Sequence, residues 1–351
     1  MGAPFAFTLP PELSAKEPPE RRGIRRDQVR LLVIERATGK IEHTRFDKID
    51  NYLRQNDLLV FNSSRTLPAS MRGCDCSAGH GPCMEVRLAE HLPDDSWLAL
   101  LLCEQGDPFG CGLREGMQID FAEGLNAAVL ARDPNIPRLW KLRFSITGTE
   151  LVDLIYRLGK PIRYEYVSAP WDLDYYQTVY AKEPGSAEMP SAGRAFTWKL
   201  LLDLKRRGIE SAYIVLHTGL SSYMDDELDR AHPASEEEYF VSRITAEKIN
   251  SARENGGRVI AVGTTVVRAL ESVADSDGWV NEKQGYTRLT INSQHRLKAV
   301  DGLLTGLHEP EASHLDLLSA FLSTAKIRAA YEEAIARKYL WHEFGDLNLI
   351  L

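Results

Sequence analysis

The texture of the chain changes twice. Up to about residue 65 and again from about 148, apolar residues recur at helical or buried-strand spacing. Between 66 and 147 the pieces MEVRLAEH, SWLALLLC, MQIDFA, NAAVLAR and WKLRFSI are short, β-prone and separated by Gly, Pro and Asp. Pieces of that kind cannot make helices; they make a small antiparallel barrel or sandwich. The expected fold is therefore α/β (α+β) with two domains. An α/β body, 1–65 and 148–351, carries the site, and an antiparallel β-barrel is inserted at 66–147. A chain of 351 residues is long enough for two such cores.

Within the body, VRLLVIE (29–35) and IEHTRF (41–46) flank Ala37-Thr38-Gly39-Lys40 and read as a hairpin. Leu58-Leu59-Val60-Phe61 reads as a buried strand. Helices are expected near 149–158, 197–207, 245–255, 264–274, 313–322 and 324–337, with strands at 211–216 and 258–262. Gly256-Gly257 ends the third of these helices. The sequence has no internal repeat.

With 44% hydrophobic and 26% charged residues, the chain is neither disordered nor fibrous. No apolar run approaches the ~20 residues of a membrane helix, and no basic-then-apolar leader opens the sequence. A soluble, cytoplasmic protein without a membrane partner is expected. The formal net charge is −8, which gives a polyanion no overall attraction. Residues 1–73 nevertheless hold thirteen Lys or Arg against nine Asp or Glu, led by Arg21, Arg22, Arg25, Arg26 and Arg30. This is either a solvated basic loop or an anion contact. Asp225, Asp226, Glu227, Asp229, Glu236, Glu237 and Glu238 form an acidic stretch that would repel a nucleic-acid backbone. Five cysteines do not make a disulfide framework. Cys74, Cys76, His80 and Cys83 have zinc-ligand chemistry but fall within ten residues instead of two separated pairs, so a reduced cysteine-rich turn without metal is expected.

Chemistry gathers at a few points. Gly263-Thr264-Thr265 stands where a buried strand turns into a helix, leaving amides and the positive helix end free for an anion. Arg268, one turn on, could hold a carboxylate bidentately. The long turn-rich run from Pro184 to Gly193 has the composition of a site-lining loop. His217 and His308 both follow apolar strands and are candidates for proton transfer. Neither a phosphate loop ending in Gly-Lys-Ser/Thr nor a glycine-rich dinucleotide fingerprint is present, so no nucleotide cofactor is expected.

These features sit inside longer strings: LPPEL (9–13), DLLVFNSSRTLPA (57–69), YQTVYAKEPGS (176–186), PSAGRAFT (190–197), GGRVIAVGTTVVRALES (256–272), LLTGLH (303–308) and FGD (344–346). In this order they resemble the S-adenosylmethionine:tRNA ribosyltransferase-isomerase family over nearly the whole chain. The resemblance implies an α/β body with an inserted β-barrel. It also implies transfer of the ribosyl part of S-adenosylmethionine to 7-aminomethyl-7-deazaguanine in tRNA, with S-adenosylmethionine as substrate and no cofactor. Carried onto this sequence, it makes His217, His308 and Arg268 catalytic candidates. Asn62, Arg65, Tyr176, Gln177, Thr178, Pro190, Ser191, Gly193, Arg194, Phe196, Thr197, Gly219, Gly263, Thr264 and Thr265 become substrate-binding candidates.

The departures are specific. The family's Leu-His pair is Arg194-Ala195 here, its Asn-Asp-Thr-Arg is Asn62-Ser63-Ser64-Arg65, and Glu311 takes a basic or polar position. Near His232, Ser235 takes the place of a second histidine. An alanine cannot move a proton, and a guanidinium stays protonated. Two other readings therefore stand beside the family reaction: a divergent paralogue with a small non-tRNA acceptor, and a non-catalytic adenosyl-ligand binder. The partners expected are S-adenosylmethionine and tRNA, the latter weakened by the acidic balance. The oligomeric state is not encoded in any of these motifs.

Overall fold

The structure, a computed structural model, describes residues 7–75, 81–104, 112–231, 236–310 and 312–351, the side chains of 230–231 excepted. The body strands are β1 (Arg30–Ile34), β2 (Ile41–Arg45), β3 (Leu58–Asn62) and β4 (Ser64–Thr66). The barrel strands are β5 (Ser70–Asp75), β6 (Cys83–His91), β7 (Trp97–Cys103), β8 (Gln118–Asp120), β9 (Asn126–Arg132) and β10 (Leu139–Phe144). The body resumes with α1 (Gly148–Leu158), β11 (Glu183–Ser186), α2 (Trp198–Arg206), β12 (Glu210–Leu216), α3 (Asp226–Ala231), β13 (Glu237–Val241), α4 (Arg243–Glu254) and β14 (Val259–Val262). It closes with α5 (Thr264–Val273), β15 (Lys283–Thr287), β16 (Gly302–Gly306), α6 (Ser313–Leu318), α7 (Thr324–Ala336) and β17 (Leu347–Ile350).

The body is one nine-stranded mixed sheet in the order β15-β13-β12-β3-β14-β16-β17-β1-β2. Its middle, β12-β3-β14-β16, is parallel, with Ile214 beside Asn62, Val262 beside Phe61 and Val262 beside Leu304. Strands covered on both faces are apolar at every position, and period-two alternation then sorts them between two cores. Leu58, Val60, Val259 and Ala261 face the core with α4, α5 and α7, while Leu59, Phe61, Ile260 and Val262 face the core with α2.

The insert is a closed six-stranded barrel, β10-β7-β6-β5-β8-β9, as its short β-prone pieces imply. It is fastened to the body through its own core, which takes in Leu151, Leu154 and Ile155 of α1 together with Ala187, Leu220 and Tyr223. Both segments 186–189 and 217–224 are thereby held between barrel and sheet.

The cysteine-rich turn is corrected. Cys74 and Cys83 oppose each other on β5 and β6 and form a disulfide, S–S 2.10 Å. Cys103 is disulfide-bonded as well. Directly opposed positions on neighbouring strands bring two side chains within bonding reach, a proximity that sequence spacing does not reveal. Cys76, His80, His232, Ser235 and Glu311 lie outside the described residues. Among the described residues no group of three His, Cys, Asp or Glu is arranged to hold a metal, and no helix is long and apolar enough to cross a membrane.

Candidate active site

Because β12, β3, β14 and β16 are parallel, their carboxyl ends open on one edge of the sheet, where ligands bind in open α/β sheets. Four turns leave that edge: His217-Thr218-Gly219, Ser63-Ser64, Gly263-Thr264-Thr265 and Leu307-His308. Asn62 ties three of them together. Its amide donates to the Leu216 carbonyl (2.7 Å) and to Thr265 Oγ1 (3.4 Å), and its oxygen accepts from the Leu216 and Ser64 amides (3.0 Å each). Gly263, at φ +102°, adopts a conformation that only glycine holds without strain and so lets α5 start directly off β14. Ala192, in the turn 191–193, lies over that helix mouth, 3.6 Å from where a Cβ on Gly263 would stand.

His217 stands at this edge with one ring nitrogen held by a hydroxyl. Its Nδ1 is hydrogen-bonded to Ser64 Oγ (2.8 Å), which is bonded to Ser186 Oγ (2.6 Å), and Ser186 Oγ accepts from the Thr218 amide (3.0 Å). Gly185 packs against the ring at Nδ1, Cε1 and Cγ, leaving no room for a Cβ. Burial lowers the pKa of the imidazole, partly opposed by the Glu238 charge, so the ring is neutral near pH 7. It lines a cleft of about 910 Å³ with Tyr180, Lys182, Tyr213, Phe240 and Gln284.

A second constellation lies around the turn 190–195. Ser191, Arg194, Ala195 and Gly306 form the wall of a cavity of about 10 Å³ with His342 and Glu343. Arg194, only 3% exposed, gives its guanidinium to the Tyr175 carbonyl (2.8 Å) and to Glu20 (2.8 Å), and lies over the Phe344 ring. The Glu343 Oε1 atom is buried without a hydrogen-bond partner, and burial, reinforced by the Glu188 charge, pushes its carboxyl up to about 8. Glu188 is itself pushed up to about 7, mainly by burial, although Tyr164 Oη and the Ser221 amide both donate to it. His342 stacks on Tyr166 (3.9 Å) with Glu309 at 3.1 Å from Nδ1, and burial lowers its pKa to about 4.

The other expected site residues are distributed as follows. Arg268 is paired with the buried Glu237 and donates to the Leu289 carbonyl (3.0 Å), so no part of that pair is offered freely to a carboxylate. The Gly219 amide also donates to Glu237. His308 bonds Thr305 Oγ1 (2.9 Å), stacks on His314 (4.5 Å) and is held well below its usual pKa by burial and that second imidazole. Gln177 pairs with both backbone groups of Thr66, at 3.1 and 2.8 Å. Arg65 donates to Tyr156 Oη (3.2 Å), Tyr176 packs on Phe344 (5.2 Å), and the Thr178 carbonyl accepts from the Ala181 amide (3.2 Å). Gly193, whose amide bonds the Pro190 carbonyl, lets the Tyr180 hydroxyl come so close that a Cβ would clash at 1.8 Å. Phe196 is fully buried edge-on to Phe46 and Phe61, and Thr197 caps α2 by accepting from the Leu200 amide (3.2 Å). Those two residues support the fold around the site instead of lining it. Ser186 and Glu188 fall in the Pro184–Gly193 run read as site-lining, and Ser64 in the Asn62–Arg65 string, but their individual roles, like those of His342 and Glu343, escaped sequence reasoning, since an isolated Ser, His or Glu carries no local signal.

The charge pattern also reads differently in three dimensions. Arg22 donates to the Glu17 and Phe344 carbonyls, Arg26 to Glu20 and the Gln177 carbonyl, and Arg30 to Asp346. The basic run is a set of clamps fastening the N-terminal segment, neither a loose solvated loop nor a bare anion site. In the acidic stretch, Asp225 pairs with Arg138 (2.8 Å), Glu236 with Arg288 (3.0 Å) and Glu237 with Arg268. Its repulsion of a polyanion is correspondingly reduced.

A mixed sheet whose parallel strand ends meet a neutral imidazole and two carboxyls raised by burial, with a barrel inserted beside them, defines an α+β enzyme-like class. A family profile described as "Queuosine biosynthesis protein" matches residues 3–350. A relative from Symbiobacterium thermophilum, named S-adenosylmethionine:tRNA ribosyltransferase-isomerase, is 40% identical over 99% of this chain and 98% of its own. One of the same name from Carboxydothermus hydrogenoformans is 38% identical with the same coverage. The crystal structure titled S-adenosylmethionine tRNA ribosyltransferase from Thermotoga maritima superposes with a TM-score of 0.55 at 30% identity, covering 99% of this chain and all of that one. The chain belongs to the queuosine biosynthesis protein family.

Proposed function

We infer that this protein is an S-adenosylmethionine-dependent ribosyltransferase-isomerase. It transfers the ribosyl moiety of S-adenosylmethionine to the aminomethyl group of 7-aminomethyl-7-deazaguanine in tRNA and isomerises it to the epoxycyclopentanediol, releasing adenine and methionine. The observation that carries this is full-length relatedness at 38–40% identity to proteins named for that activity. The charge argument against tRNA loses force because three carboxylates of the acidic stretch are paired with arginines from elsewhere in the chain.

The chemistry fits a site without a cofactor. A sulfonium acidifies the adjoining 5′ carbon, so one neutral base can start the sequence, with S-adenosylmethionine as substrate. His217, unprotonated near neutrality and oriented by Ser64, is that base in our reading. Arg268 and the start of α5 at Gly263-Thr264-Thr265 are the assigned holders of the methionyl carboxylate, with Arg268 exchanging Glu237 for the ligand. His308, with Thr305, and the turn Pro190–Arg194 complete the substrate wall. The setting is the cytoplasm, where tRNA and S-adenosylmethionine meet.

Incubation with S-adenosylmethionine, with and without tRNA carrying the deazaguanine base, tests this by mass spectrometry. Adenine and methionine released only with that tRNA is the expected result. Release without tRNA would redirect the reading to a small acceptor, and no release in either arm would refute it.

A further inference from the structure

The cleft beside His217 is floored by one face of the sheet. Alternation along β12 turns Ala212, Ile214 and Leu216 into the core with α4 and α5, and so turns Tyr213, Val215 and His217 the other way. On β13 the same rule buries Tyr239 and Val241 and leaves Glu238 and Phe240 outward. Register then lays out a grid. Val215, Phe240 and Gln284 lie side by side across β12, β13 and β15, and Tyr286 stands beside Glu238 in the row nearer His217. Trp198, the first residue of α2, lines the same cleft of about 910 Å³.

This surface keeps four aromatic rings in water: Trp198 is 57% exposed, Phe240 38%, Tyr213 37% and Tyr286 37%. One exposed ring is ordinary, but several gathered around a single cleft mark a binding surface. The rings are also held in place. Tyr213 stacks on Phe61 (5.6 Å, 25°) and packs against Tyr180 (5.7 Å), so little order has to be created on binding. Charge on the cleft wall is mixed. Lys182 is paired with Glu183 (3.0 Å), and Glu238 accepts from the Gln284 amide (3.2 Å). Such a wall does not hold a phosphate chain by charge; it offers flat π-faces. Lys182 and Lys199, the latter next to Trp198, are exposed in surface pairs that are worth little, which leaves both ammonium groups able to turn to phosphates.

We propose that this open sheet face binds the single-stranded nucleotides that flank the base to be modified, their bases stacking on Phe240, Tyr213 and Trp198 while that base is led to His217. The inference rests on the ribosyl-transfer reading above. A base inside a duplex has no free face to lay on a ring and cannot reach a largely buried imidazole, whereas an unpaired strand can do both. S-adenosylmethionine carries one aromatic base, which two rings at most can sandwich. Four rings on four elements, α2, β12, β13 and β15, call for several bases in succession. Aromatic rings on neighbouring strands of an open sheet face stack two or three RNA bases in this way.

The test is equilibrium binding, by fluorescence anisotropy, of three labelled RNAs: the substrate tRNA, a short single strand with the sequence around its modified base, and that strand annealed to its complement. The proteins are the parent, Trp198→Ala, Phe240→Leu, Phe240→Tyr and the Trp198→Ala/Phe240→Leu double variant, and each is also titrated calorimetrically with S-adenosylmethionine. Leu keeps apolar bulk and loses the π-face; Tyr keeps both. The expected result is a Kd for tRNA and for the single strand weakened about 5- to 150-fold in Trp198→Ala and in Phe240→Leu, the range for one lost base stack, and weakened further in the double variant. Phe240→Tyr should bind as the parent does, S-adenosylmethionine affinity should stay unchanged throughout, and the parent should bind the single strand more tightly than the duplex. Parental tRNA affinity in the double variant overturns the proposal, and so does equal binding of single strand and duplex. Variants that lose S-adenosylmethionine affinity by the same factor also overturn it, since the face then serves the donor or the fold. If Phe240→Leu fails to fold, Trp198→Ala decides alone, because its ring lies on the exposed first turn of α2. A parent that binds the single strand as expected but releases no adenine from S-adenosylmethionine with substrate tRNA refutes the ribosyl-transfer reading and leaves the docking face standing. Adenine release by a parent whose variants bind tRNA unchanged refutes the docking face alone.

Discussion

Gly185→Ala is a test of how tightly the His217 network is built. A Cβ at 185 would stand 2.5 Å from Cε1 and Nδ1 of the imidazole and 2.7 Å from its Cγ. Ordinary carbon contacts are about 3.5–4.0 Å, so the ring or the loop must yield by about 1 Å. The ring is tethered by its 2.8 Å bond to Ser64 Oγ, and moving it loses a bond worth about 1 kcal/mol. Overpacking adds about 1–3 kcal/mol. Misplacing a proton-transfer group by 1 Å costs on the order of 100-fold in rate. The measurements are adenine release under saturating substrates and urea denaturation of parent, Gly185→Ala, His217→Ala and the double variant. The single glycine variant should lose both rate and stability, whereas in the double variant the obstacle is gone and stability should return to that of His217→Ala. A Gly185→Ala protein with the parent's kcat and denaturation midpoint would show that the ring has free space and that the argument is wrong.

Two further outcomes are expected. Arg194→Ala leaves Glu20 with Arg26 as its remaining cation and removes a charged hydrogen bond, and should cost about 1.5–3 kcal/mol; in a double-mutant cycle with Glu20→Ala the losses should be non-additive, and simple additivity would dissolve the pair. Glu90, on the barrel, is pushed up to about 8 by burial and by Glu237, Glu236 and Asp133. A folded pKa above the unfolded one gives stability that is complete at low pH and lost as pH rises towards 8. Melting temperature should therefore drop more between pH 5.5 and 8.5 in the parent than in Glu90→Gln, and equal slopes would refute this account.

Much of the fold was legible because it rests on local rules. Alternation of buried residues along Leu58–Phe61 and Val259–Val262 appears in the sequence as unbroken apolar runs between turns, and the insert announces itself by short β-prone pieces. The strands that were not foreseen are polar or short. β13 reads EEYFV and β15 reads KQGYT, and their strand character comes from pairing with each other and with β12 at the sheet edge. β4 and β11 exist only as each other's partners, 64–66 against 183–186. The same holds within the site. Gly263-Thr264-Thr265 and His217 were visible because strand-to-helix and strand-end positions have local signatures. Glu343 was not, because a glutamate two residues before a glycine looks solvated until its burial is known.

The sequence by itself determined the inserted barrel, the apolar central strands and most of the helices, since periodicity and turn chemistry act over a few residues. Only the tertiary structure decided which charges are spent and which remain. Arg194 is answered by Glu20, 174 residues away, and Arg268 by Glu237, 31 residues away, while Glu343 is answered by none of the described residues through Oε1. Protonation follows from burial and from partners, and both are set by contacts between segments that the chain brings together only when it folds.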